Sequence, residues 1–250
     1  MKQHRIFEWL RLIAACAVFG LVVAENHWWQ SALHFLFPSQ ATVLYPRVPL
    51  IELVGQHLEL VLISSLLTIA VGLPLGIWVT RPSGRDFIPL VSKVTSFGQT
   101  FPPVAVLALA VPVLGFGLWP TVIALFLYGL LPVVRNTIAG LRDVPQNLVD
   151  VAYGMGMSKR QTLFRAELPL AAPVIMAGIR VSVIINVGTA MIGAVVSSGG
   201  LGSPIVSGLV QNNTAFILEG AIPAAGLAIL LDQLLANFQN IFELHNSKLS

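Results

Sequence analysis

Three stretches of this chain contain no Asp, Glu, Lys or Arg: residues 60–80 (21 residues), 94–134 (41) and 181–218 (38). A helix that crosses a bilayer needs roughly 20 consecutive apolar residues. Inside lipid every backbone N–H and C=O must also find its partner within the protein, which leaves helices or closed barrels as spanning structures. The run of 41 is long enough for two spans, and Gly115-Phe116-Gly117 supplies a tight turn between them. Charged residues make up 10% of the chain, where a soluble domain carries about 25%. The chain therefore reads as an all-α, polytopic membrane protein.

Six segments are predicted to span: 9–24, 58–80, 88–114, 119–134, 172–196 and 215–237. An even number of spans puts both termini on one side, and the distribution of Lys and Arg says which. With the termini in the cytoplasm, Lys2, Arg5, Arg11, Arg81, Arg85, Lys93, Arg135, Arg142, Lys159, Arg160, Arg165, Arg180 and Lys248 fall inside or near inner ends of spans; only Arg47 falls outside. The domain division that follows is 1–57, a first helix and an outer segment; 58–240, the membrane domain; and 241–250, a cytoplasmic tail. Positive residues, an apolar stretch and Ala24 also resemble a signal peptide, but Glu8 and Arg11 interrupt the apolar run and favour a retained helix. The sequence pI of about 9.4 is accounted for by topology and argues for no nucleic-acid partner.

Little here supports chemistry on the chain itself. Cys16 has no second cysteine to pair with, and His4, His27, His34, His57 and His245 show no metal spacing. The outer segment 25–57, which holds Glu52 and ends before Glu59, is too irregular to assign. Gly199-Gly200-Leu201-Gly202 lacks the Lys-Ser/Thr of a phosphate-binding loop and has no strand before it. Its glycines suit a tight periplasmic turn and close helix approach, or else a gate or docking contact. No catalytic constellation and no metal site is expected.

The polar island at 143–169 breaks this pattern. Pro145 should end the helix before it. Asn147 could cap a new helix with Asp150 at its third position, and Ser158-x-x-Gln161 matches a capping box. Gly154 and Gly156 interrupt the run. A second short helix is expected from Lys159 to Leu168, ended by Pro169, with Pro173 opening the next span. Two short helices at an angle would form a compact knob; a solvated loop is the alternative.

The island resembles the EAA motif of ABC importer permeases: Glu-Ala-Ala, three residues, Gly, nine residues, an aliphatic residue, any residue, Leu-Pro. Here Asp150-Val151-Ala152, Gly156 and Leu168-Pro169 stand in register, with Asp150, Val151 and Ala166 as conservative departures. Gln99 to Leu107 with Pro102-Pro103, Leu114-Gly-Phe-Gly117, Leu131-Pro-Val-Val-Arg135, Glu167 to Arg180 and Gly199-Gly-Leu-Gly202 resemble the branch that imports osmoprotectants such as glycine betaine and choline. The resemblance covers about residues 55–240 and is closest to short, unfused permeases. It implies the MetI-like fold of type I importers in the bacterial inner membrane. It also implies that Asp150, Ala152, Gly156, Leu168 and Pro169 couple to a cytoplasmic ATPase dimer, which would bind the ATP and Mg; no cofactor is expected in this chain. A separate periplasmic binding protein and a second permease subunit are implied, a heterodimer being favoured over a homodimer. An amino-acid permease of the same superfamily is the nearest rival.

Two features are candidates for the translocation path. Pro102 falls nine residues beyond Lys93, about 14 Å into the bilayer at 1.5 Å per residue. The pair Pro102-Pro103 removes two backbone donors there, so the break should face protein or a cavity, with Phe101 as an aromatic face for a quaternary ammonium group. Asn186 and Thr189 share a helix face near midspan, with Ser182 one turn earlier, where polar groups are costly unless they meet protein or water. Simple kinking and interhelical hydrogen bonding are the structural alternatives. Arg180 and Asp232, near inner ends, are expected to snorkel. An ion-driven secondary transporter would show intramembrane acids and an internal repeat; neither is visible. An intramembrane hydrolase would need a nucleophile with a paired base inside a span, and none is present.

Overall fold

The computed structural model describes residues 2–246; Met1 and residues 247–250, including Lys248 of the expected tail, lie outside them. The described residues form helices joined by short turns, with no strand among them. The helices are α1 (Lys2–Ala24), α2 (Asn26–Leu36), α3 (Leu50–Thr80), α4 (Ile88–Thr100), α5 (Pro103–Leu114), α6 (Leu118–Arg142), α7 (Gln146–Gly154), α8 (Lys159–Thr162), α9 (Leu168–Thr189), α10 (Gly202–Gln211) and α11 (Thr214–Asn246). Five helical stretches are long and apolar enough to cross a membrane, and α4 with α5 make a sixth only as a bent pair.

The break expected at Pro102-Pro103 within the span 88–114 is present, and it is sharper than a kink. The two helices meet at 93°, because Phe101 is extended and Pro102 and Pro103 can donate no backbone bond. Neither half, at 13 and 12 residues, reaches the roughly 30 Å of hydrocarbon. The turn at Gly115 and Gly117 is as expected, both residues having positive φ (78° and 112°).

The start of the second span differs. α3 begins at Leu50 rather than residue 58, behind Pro49, and runs 31 residues, about 46 Å. Glu52 and Glu59 lie in its first ten residues, at the end by which it exceeds the roughly 20 residues a span needs. The segment before it is partly ordered: α2 packs Trp29 and Leu33 inward, and the Trp29 indole donates to Val22 O (2.8 Å) at the end of α1. Residues 37–49 are tied to the α10–α11 corner. Gln40 Nε2 donates to Asn212 O (3.3 Å), Asn213 Nδ2 to Thr42 O (2.8 Å) and the Tyr45 N–H to Glu219 (2.6 Å).

The core is α3, α6 and α9, with Leu60, Val61, Val122, Leu125, Val133, Ile175, Ile179 and Val187 buried between them. Small residues set the spacing. A Cβ on Gly76 would lie 2.7 Å from Thr137, and one on Gly178 2.5 Å from Asn136. α11 covers α9, and α1 lies against α11 with Trp9 edge-on to Phe238 at 5.5 Å. Arg180 and Asp232 do not snorkel separately: they pair across α9 and α11 at 2.5 and 2.6 Å, because a paired charge need not leave the bundle to be satisfied.

Candidate functional site

The polar island folds into a knob. α7 starts at Gln146 behind Pro145, not at an Asn147 cap, and the Gln146 amide donates to Asp150 (3.0 Å) one turn on. Pro145 holds an extended φ/ψ (−59°, 128°) that opens a helix without a side-chain cap. At the far end Met157 N–H donates to Ala152 O (3.1 Å) and Gly156 N–H to Tyr153 O (2.9 Å). These are the two bonds of a Schellman motif, and Gly156 occupies its left-handed position at φ 82°. The capping box is present as expected: Ser158 N–H donates to Gln161 Oε1 (2.8 Å) and Gln161 N–H to Ser158 Oγ (3.4 Å).

The expected second helix of 159–168 departs from prediction. α8 passes into a π-turn, Leu163–Glu167, and then directly into α9, so Pro169 does not end the helix. A proline ring clashes with the carbonyl four residues earlier and brings no N–H. Widening the preceding turn to five-residue spacing accommodates both defects. Leu168 and Pro169 are thus the first residues of α9, half-buried, and Pro173 lies inside it.

Of the motif residues, Ala152 is buried (2% exposed) against the base of the knob, while Asp150 and Gly156 are exposed. The outer surface is apolar for so polar a sequence: Leu148, Val151, Tyr153, Met155 (65%) and Phe164 (66%) face outward. An exposed apolar cluster of this kind marks a contact surface.

Among the path candidates, Asn186 is fully buried and its amide donates to Ser64 Oγ and Ser65 Oγ of α3, both at 3.2 Å. Gly129 of α6 makes room: a Cβ there would sit 2.5 Å from Ser182 Oγ and 3.3 Å from the Asn186 amide. Thr189 is half-buried at the end of α9. Phe101 packs elsewhere, in a cluster with Val106, Leu127, Ile192 and Val196. The break at Pro102-Pro103 is satisfied from α6, the Tyr128 hydroxyl donating to Phe101 O. Beside it lies an apolar groove of about 460 Å³ lined by Val94, Phe97, Phe101, Leu109 and Leu127. Gly199 and Gly200 have positive φ (77° and 79°), and Gly200 N–H donates to Gln56 Oε1 (2.9 Å). A Cβ on Gly202 would lie 2.0 Å from Met191 O, so this glycine permits the α10 start to touch the preceding turn. Among the described residues no group of three His, Cys, Asp or Glu side chains could hold a metal.

Two ion pairs were not foreseen: Arg180–Asp232, and Arg81–Glu167 at 2.6 Å. The partners of the second are 86 residues apart, so no local pattern announces it.

Residues 72–246 match the family model described as the inner membrane component of binding-protein-dependent transport systems. The chain belongs to that family. It is a multi-pass inner-membrane permease component of an ABC transporter, a transport subunit. It is 43% identical over 192 residues to the osmoprotectant import permease protein OsmY of Salmonella typhimurium, covering 77% of this chain and 81% of that one. It is 40% identical over 181 residues to the choline transport system permease protein OpuBB of Bacillus subtilis (72% and 82%). With the glycine betaine/carnitine/choline permease protein OpuCB of Bacillus subtilis it shares 40% identity over 182 residues (73% and 83%). The fold matches an inward-facing methionine ABC transporter, MetNI, with a TM-score of 0.67 at 21% identity, over 77% of this chain and 95% of that chain.

Proposed function

We propose that this chain is the membrane subunit through which an ABC importer moves an osmoprotectant, a quaternary ammonium compound such as glycine betaine or choline. The driving hydrolysis takes place on a cytoplasmic ATPase dimer that holds the ATP and Mg. A separate periplasmic protein delivers the substrate. The observation that carries the reading is the α7–α8 knob, whose apolar outer face stands on the EAA-like spacing of Asp150, Ala152, Gly156, Leu168 and Pro169. The names of the relatives support the substrate class.

The knob and both termini lie in the cytoplasm, because the Lys and Arg residues cluster on that side. One chain offers one knob, and the ATPase dimer takes two, so the pore needs a second permease, in our reading a different one. The substrate path runs past Thr189 at the end of α9 and past the break at Phe101, Pro102 and Pro103, with the Gly199, Gly200 and Gly202 turn at its outer end, while Asn186 ties α9 to α3 behind it.

The reading is tested by uptake. Vesicles holding this chain with its ATPase, a binding protein and a second permease should accumulate labelled glycine betaine or choline and not an amino acid. Amino-acid uptake would move the chain to the rival branch. Full uptake with this chain as the only permease would replace the heterodimer by a homodimer.

A further inference from the structure

The one buried carboxylate of the knob region is Glu167, the last residue of the π-turn, 6% exposed. Its partner, Arg81, is the C-cap of α3, with its backbone N–H on Trp78 O (3.0 Å). The guanidinium is held in place on its own helix: Nε and Nη2 each lie 3.2 Å from Thr80 Oγ1, and that hydroxyl donates to Ile77 O (2.7 Å). From this fixed position Nη2 donates to Glu167 Oε2 at 2.6 Å. The corner beneath is rigid as well, since Trp78 stacks on Phe87 at 5.4 Å and Gly84 packs against Trp78 O.

Above the pair, α3 is locked to α6. A Cβ on Gly72 would lie 3.0 Å from Val133 and one on Gly76 2.7 Å from Thr137, so α3 and α6 have no slack between them. On the other side, the knob joins α9 through a π-turn, a local departure from helical geometry. The chain joins the knob to α6 through residues 143–145 and to α9 through that turn, and Val144, Leu163 and Leu168 pack it on the core; the ion pair is its charged link to α3.

We propose that Arg81 and Glu167 are positioning residues that transmit displacement of the knob to the α3–α6 pair. This rests on the coupling role of the knob proposed above. A half-buried, charge-assisted bond suits the task, because it resists shear where apolar contact would slide. Removing Arg81 leaves the Glu167 carboxylate buried and unpaired, whereas exchanging the two should restore the bond.

The test is the ratio of substrate moved to ATP hydrolysed, measured on the complete reconstituted transporter. Arg81→Gln and Glu167→Gln should assemble with the ATPase and hydrolyse ATP, with the ratio lowered about tenfold. The exchange Arg81→Glu with Glu167→Arg should recover most of the loss, and Arg81→Lys, which keeps the charge but not the fork, should fall between. If the neutral variants do not assemble, Arg81→Lys and the exchange decide the matter on the same ratio. An unchanged ratio in variants that assemble, or no recovery on exchange, would overturn the proposal. A wild-type complex with no substrate-stimulated hydrolysis would instead overturn the coupling role itself, so the two failures are distinguishable.

Discussion

Glycines in this chain do different work, and single substitutions separate their roles. Gly156 has open space where a Cβ would go but a φ of 82°. Its requirement is conformational, worth about 1–2 kcal/mol against a non-glycine residue. Gly156→Val should loosen the end of α7, seen as faster amide exchange at Met155 to Met157, and lower transport while membrane insertion persists. Gly156→Asn should be milder, because Asn tolerates the left-handed region. Gly202 is the opposite case: its φ is ordinary, but an added Cβ would meet Met191 O at 2.0 Å. Gly202→Ala should lower the yield of folded protein in detergent, and Gly154→Ala, with nothing within 4 Å, should leave it unchanged. Equal yields for the two alanine variants would contradict the packing described. The sequence marks all three as glycines in the same way. It reveals the role of Gly156 through its motif spacing, but the close approach at Gly202 depends on a carbonyl that only the fold brings near.

The same division runs through the elements. Helices whose limits depend on local chemistry were legible: the Ser158–Gln161 box, the Gly115–Gly117 turn and the break at Pro102-Pro103. Those that depend on neighbours were not. The start of α3 was hidden by Glu52 and Glu59, which look like ends of an apolar run but sit on a helix extending past the bilayer. Pro169 looks like a stop and is absorbed by a π-turn. Asn186 reads in the sequence as packing or as path; its amide turns to Ser64 and Ser65 on α3, 122 and 121 residues away. Asn186→Leu should therefore cost about 1–3 kcal/mol of stability by unpairing and crowding that cluster, measured as a lower unfolding midpoint. Thr189→Trp probes the path itself. The half-buried Thr189 should accept the ring with little change in that midpoint, while uptake falls and assembly with the ATPase is retained. Normal uptake by a stably inserted Thr189→Trp variant would mean that this face of α9 is ordinary helix packing.

At the scale of the whole molecule, charge-free runs made the membrane class readable without any contact, and the count of six spans holds only if the bent α4–α5 pair is taken as one. Ion pairs between distant helices were not readable, because Arg180 with Asp232 and Arg81 with Glu167 are joined only by the packing of α3, α9 and α11. The bundle so tied presents a knob whose apolar residues Leu148, Val151, Tyr153, Met155 and Phe164 are left uncovered by the other described residues, and in our reading an ATPase covers them. Site-directed cross-linking tests this most directly. With Cys16→Ser as background, single cysteines in place of Met155 and Phe164 should form cross-links to the co-expressed ATPase subunit in intact membranes, and a cysteine in place of Trp28 on α2 should not. Labelling of the Met155 and Phe164 positions by an impermeant reagent from the periplasmic side, with no cross-link to the ATPase, would contradict the account.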